Sequence, residues 1–218
     1  MTGRAEPAVL PPPLRGWLGL VAALAALLVT GLGFAYAGRG RPTEVDARIQ
    51  SVVDGVRPPW WQVAQVMDFL GEPTGSVLLV GAVVTGLLLL RRPRAAVLAV
   101  AGVAVAVGTT TLLKHVVGRT IHGGYLSYPS GHTAFLTALA LALALFASGR
   151  FGLGRTAGTL LVLLAGLVAG ATMGWAQVAL GAHYPTDVLG GWCTALAVVP
   201  ATGWAVDRTA DSTRLARS

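Results

Sequence analysis

The chain has 218 residues, of which 54% are hydrophobic and 11% charged, with a mean hydropathy of +0.68. Soluble domains carry roughly a quarter charged residues, so this composition excludes a water-soluble globular enzyme and marks an integral membrane protein. The net charge of +7 comes without a basic stripe interleaved with aromatics, which argues against nucleic acid as a partner, and the lone Cys193 excludes an internal disulfide.

Residues 1–13 are Pro-rich and polar and are expected to be loose, within a cytoplasmic N-terminal tail over 1–15. The uncharged run 16–38 follows. Arg15 before it and Ala35-Tyr36-Ala37 within it resemble a signal peptide with its cleavage site. The run exceeds the usual 7–15 apolar residues of such a segment, so an uncleaved first helix is expected. Residues 38–58 read as the longest polar loop, and Pro58-Pro59-Trp60-Trp61 introduces a short segment suited to the interfacial aromatic belt. Glu72-Pro73 then turns the chain inward. Further apolar runs at 73–90, 95–113, 131–149, 156–182 and 188–206 each approach the ~20 residues of one crossing. Arg91-Arg92-Pro93-Arg94 and Ser148 to Arg155 are tight turns on one side, while 114–130 and 176–187 are loops on the other. The expectation is an all-α, six-transmembrane-helix bundle over 16–207, closed by a cytoplasmic tail at 208–218.

Of the 16 basic residues, ten fall on the side of both termini. The opposite side has Arg39, Arg41, Arg48, Arg57, Lys114 and Arg119. The positive-inside rule then places the termini in the cytoplasm and the 38–58, 114–130 and 176–187 segments outside. A multi-pass protein of the cell membrane is expected, with any site in those segments extracytoplasmic.

Two polar islands open long apolar runs on that outer side: Pro129-Ser130-Gly131-His132 and His183-Tyr184-Pro185-Thr186-Asp187. Histidine and carboxylate at membrane depth are costly and mark function by default. Pro129 and the small residues after it read as a helix N-terminus, where free amides and the dipole favour an anion. Ser130 adds a hydroxyl, Gly131 allows close backbone approach, and His132 projects beside the anion. His183 and Asp187 lie four residues apart, within reach whether or not the helix includes His183. A carboxylate bonded to one imidazole nitrogen fixes the tautomer and makes the other a stronger base or nucleophile. Lys114, the only lysine, ends the third long helix on the same side.

Lys114, then Pro-Ser-Gly-His, then His-x3-Asp, in this order at helix ends, resembles the type-2 phosphatidic acid phosphatase superfamily. Two family arginines are absent: the Lys-x6-Arg-Pro motif lands on Ile121-His122, and Ser-Arg-x5-His lands on Ala176-Gln177 before His183. Losing preorganised donors to a phosphate is costly, at about 3 kcal/mol for one. Arg119, His122 and Gln177 are therefore expected as substitutes, joining Lys114, Ser130 and Gly131 in holding phosphate oxygens. The resemblance implies a phosphohistidine on His183, oriented by Asp187, with His132 as acid and then base, and neither metal nor other cofactor. It implies hydrolysis of a lipid phosphate or polyprenyl (di)phosphate. Phosphoryl transfer to an acceptor, or a non-catalytic lipid-binding role on the same scaffold, remain alternatives, and the oligomeric state is open.

Overall fold

The computed structural model describes residues 6–215; the remainder of the two expected tails lies outside the described residues. A single 3-10 turn at Pro12–Leu14 leads into α1, Arg15–Tyr36. Then come α2, Glu44–Val53; α3, Trp60–Gly71; α4, Pro73–Leu89; and α5, Pro93–Val117. A two-stranded ribbon (β1, Thr120–Ile121, and β2, Tyr125–Leu126) precedes α6, Gly131–Arg150, α7, Arg155–Ala179, and α8, Pro185–Leu215.

The expected membrane bundle is present. Among the described residues five helices are long and apolar enough to cross a bilayer. The pair α3 and α4, bent by 72° at Glu72-Pro73, makes a sixth if counted as one span. Proline at the first position of α4, α5 and α8 fits their starts, because its missing N–H has no intrahelical acceptor there in any case. The most buried span is α6, packed by α5, α7 and α8. Glycines bring α7 and α8 together: a Cβ on Gly170 would lie 2.3 Å from the Trp192 ring, and one on Gly174 would lie 2.2 Å from Val188. Small residues at such crossings let helices approach where lipid supplies no hydrophobic drive between them.

Three expectations about the ends and loops are corrected. Residues 6–14 are not loose: Val9 and Leu10 are buried, and their amides donate to the Asp207 carboxylate at 2.8 and 3.0 Å. Arg15 and Arg94 add charge to the same carboxylate at 3.7 and 3.8 Å, so a buried acid on α8 anchors the N-terminal segment. The last helix does not stop near 206 but continues to Leu215. The 38–58 loop contains α2, started by a reciprocal capping box in which Thr43 Oγ1 accepts from the Asp46 amide and the Asp46 carboxylate accepts from the Thr43 amide.

Candidate active site

The polar islands meet at one end of the bundle. Ser130 is the N-cap of α6; its Oγ accepts from the Thr133 amide and hydroxyl at 3.4 and 3.0 Å. Its own amide donates to the Asp187 carbonyl at 2.9 Å, which pins the start of α6 to the start of α8. Gly191 makes that approach possible, since a Cβ there would be 2.2 Å from the Ser130 carbonyl oxygen. Ser130 is fully buried and builds the helix start, whereas Gly131 and His132 remain partly exposed. Their amides are first-turn donors without intrahelical acceptors.

His183 lies just before α8, on the short connection from α7. Gly181, at φ +71°, ends α7 in the left-handed conformation that glycine adopts without penalty. The following amides, Ala182 and His183, both turn back to the Gln177 carbonyl, at 2.9 and 3.3 Å. His183 Nδ1 faces Asp187 Oδ2 at 3.7 Å, beyond hydrogen-bonding distance, and has no other partner. Lys114 sits half-buried at the end of α5, where Gly118 at φ +64° caps the helix. His132 lies within electrostatic reach of Lys114, His183 and Asp68. Lys114, His132 and His183 with Asp187 are therefore brought together.

Arg119 is placed differently from the expectation. Its side chain is 0% exposed. One guanidinium nitrogen donates to Asp187 Oδ1 and Thr186 Oγ1, both at 2.6 Å, and the other to Asp46 Oδ2 at 2.7 Å. The rings of Tyr36 and Tyr184 lie 4.4 and 4.5 Å from its central carbon. With both terminal nitrogens bonded and only the buried Nε left without a partner, Arg119 is not free to grip phosphate; it braces Asp187. Two carboxylates around one guanidinium leave a surplus negative charge beside His183. Asp46 is the member that sequence reasoning missed, although its T-x-x-D cap was readable.

Burial raises the Asp46 carboxyl, but hydrogen bonds from Thr43 and Thr186 outweigh it and hold the group below the ordinary carboxylate range. A carboxyl lowered in the folded protein stabilises it above the unfolded value of about 4, and that contribution fades as pH falls through the lowered value. Thermal unfolding of the detergent-solubilised chain is therefore expected to lose stability below about pH 4. Asp46→Asn should flatten that part of the curve, and an unchanged curve would remove Asp46 from the acid response.

His122 and Gln177 are likewise engaged elsewhere. His122 sits at φ +50° in the ribbon turn, exposed, and its Nε2 donates to the Gly181 carbonyl at 2.7 Å. It ties the ribbon to the α7–α8 connection instead of facing the histidines. Gln177 is buried, and its Nε2 donates to Asp68 Oδ1 at 2.7 Å. Asp68, on α3, was also missed by sequence reasoning; its only signal was being the single charge between Arg57 and Glu72. Among the described residues no group of three or more His, Cys, Asp or Glu side chains is arranged to hold a metal ion.

A profile of the PAP2 superfamily matches residues 15–210. The chain belongs to the PAP2 superfamily. Its structure is similar to the crystal structure of a transmembrane PAP2-type phosphatidylglycerolphosphate phosphatase from Bacillus subtilis, with a TM-score of 0.67 and 22% sequence identity. The similarity covers 86% of this chain and 96% of that one. A comparison with curated protein sequences gives no match. At this identity the structural likeness speaks for the fold, and the family match runs from the start of α1 into α8.

Proposed function

We propose that this PAP2 protein is a phosphatase of a lipid phosphate or polyprenyl (di)phosphate, working through a phosphohistidine. The observation that carries the reading is the convergence of His132, His183 and Lys114 at one end of the bundle, with Asp187 held behind His183 by a buried guanidinium. His183 attacks phosphorus with its free Nε2 while Asp187 favours the Nδ1 proton. His132 protonates the departing oxygen and later activates water. Lys114 and the first-turn amides of α6 neutralise the phosphate oxygens. Asp187 stands 3.7 Å from the imidazole, and catalysis needs the pair to close to hydrogen-bonding distance.

The test is release of inorganic phosphate by the purified chain from phosphatidate, isoprenoid diphosphates and polyprenyl phosphates. Turnover of at least one, lost in His183→Ala, supports the reading; inert wild type on all three classes overturns it. A second reading has a specific observation behind it. With Arg119 and Gln177 engaged elsewhere, Lys114 is, among the described residues, the one formal cation placed with the histidines, and such a lightly clamped site suits transfer of the phosphoryl group to a bulky acceptor. Labelled donor incubated with lipid alcohols separates the two, because hydrolysis alone puts the label only in inorganic phosphate.

The proposed orientation puts this end of the bundle outside the cell. Cys193 is buried and gives a low labelling background. Tyr125→Cys, on the exposed ribbon, is expected to react with an impermeant maleimide in intact cells. Phe151→Cys, exposed at the opposite turn, should react only after permeabilisation. The reverse pattern would invert the topology.

A further inference from the structure

The helix α3 is shaped around His132 by two contacts three residues apart, on one helix face. Gly71 lies against the ring: a Cβ there would fall 2.2 Å from its Cδ2. Asp68 puts Oδ1 3.5 Å from His132 Nε2, and the same oxygen accepts from Gln177 Nε2 at 2.7 Å. Gln177 therefore fixes the carboxylate in place, from the position where the family motif has an arginine. The 72° bend at Glu72-Pro73 and an edge-on contact between Trp60 and Trp175 hold α3 in this position over α7. His132 Nε2 is buried and has no hydrogen-bond partner. Asp68 thus occupies the Nε2 side of the ring and at 3.5 Å is close enough to stabilise a positive ring through space, which leaves the other nitrogen, Nδ1, to meet a substrate oxygen. An arginine at 177 would instead place a second cation beside His132 and disfavour that charge.

We infer that Asp68 is a positioning residue acting through His132, so that the site has two carboxylate–imidazole pairs, Asp187 with His183 and Asp68 with His132. This rests on the phosphatase reading above and adds to it which half of the chemistry α3 serves. In the first step His183 Nε2 bonds to phosphorus as the bond from phosphorus to the ester oxygen breaks. The electron pair stays on that oxygen, which takes the proton from His132 Nδ1. In the second step water gives a proton back to His132 Nδ1 as its oxygen bonds to phosphorus and the bond to His183 breaks. Asp68 holds the proton on His132 until the ester oxygen needs it. Substrates whose alkoxide leaves poorly depend on this; substrates that leave as stable phenolates do not.

The experiment uses the full chain in detergent with phosphatidate and with p-nitrophenyl phosphate, comparing wild type with Asp68→Asn, Asp68→Glu, His132→Ala and the Asp68→Asn/His132→Ala pair. Asp68→Asn is expected to slow phosphatidate hydrolysis about 10- to 100-fold, the range in which a positioned proton donor acts. The first turnover of the aryl phosphate should change less than about threefold, because that leaving group needs no proton. Asp68→Glu should recover part of the loss, and adding Asp68→Asn to His132→Ala should cost nothing more. Equal slowing on both substrates, or additive losses in the pair, with an active wild type, would overturn the role of Asp68 alone. A wild type inert on both substrates would overturn the phosphatase reading beneath it.

Discussion

Arg119→Ala should unsettle both the fold and the site. The substitution leaves Asp46 and Asp187 fully buried without their shared cation and opens a slot between Tyr36 and Tyr184. Removing one partner of a buried ion pair typically costs about 3–5 kcal/mol, because the surviving charge is stranded. The melting temperature should drop, and turnover should fall by at least about 100-fold, or roughly 2.7 kcal/mol of transition-state stabilisation. Arg119→Lys separates the two effects. A lysine restores charge but presents a single point where the guanidinium forks to two carboxylates. It should recover much of the stability while turnover stays well below wild type. Wild-type melting and turnover in Arg119→Ala would contradict the bracing role.

The second large effect is expected at His183. Its Nδ1 has no hydrogen-bond partner, so His183→Ala sacrifices little folding energy. What it removes is the proposed nucleophile, the group that would split phosphoryl transfer into two steps. Nucleophile deletions in other enzymes cost factors of about 10,000 or more, leaving only what binding and electrostatics provide. Phosphatidate turnover is expected to fall at least about 10,000-fold with the thermal unfolding curve nearly unchanged. A loss below tenfold would mean that another group attacks phosphorus.

The spans and the histidine islands were legible because both are local. Apolar runs near the length of a bilayer crossing, prolines at helix starts and a serine cap need only neighbouring residues to act. The braces behind the islands are long-range. Asp46 meets Arg119 across 73 positions, and Gln177 meets Asp68 across 109. Nothing in one sequence ties an acid in a polar loop to an arginine that follows a different helix. Arg119 read alone resembled an interfacial cation free to take a phosphate, and only its burial between two tyrosines shows the charge already spent. The N-terminal segment misled for the same reason: its proline-rich look is that of a tail, but Asp207, almost 200 residues away, receives its amides.

The central claim is that phosphorus passes through His183. The direct measurement is to mix the purified chain with substrate carrying labelled phosphate, quench within the first turnovers and follow the label on the protein. The account predicts a labelled chain that loses phosphate in acid and keeps it in alkali, as a phosphoramidate bond to imidazole does. The label should be absent in His183→Ala. It should accumulate in His132→Ala supplied with an aryl phosphate, because the first step then needs no acid and the second lacks its base. Active wild type with no protein-bound label, or equal labelling of His183→Ala, would contradict it.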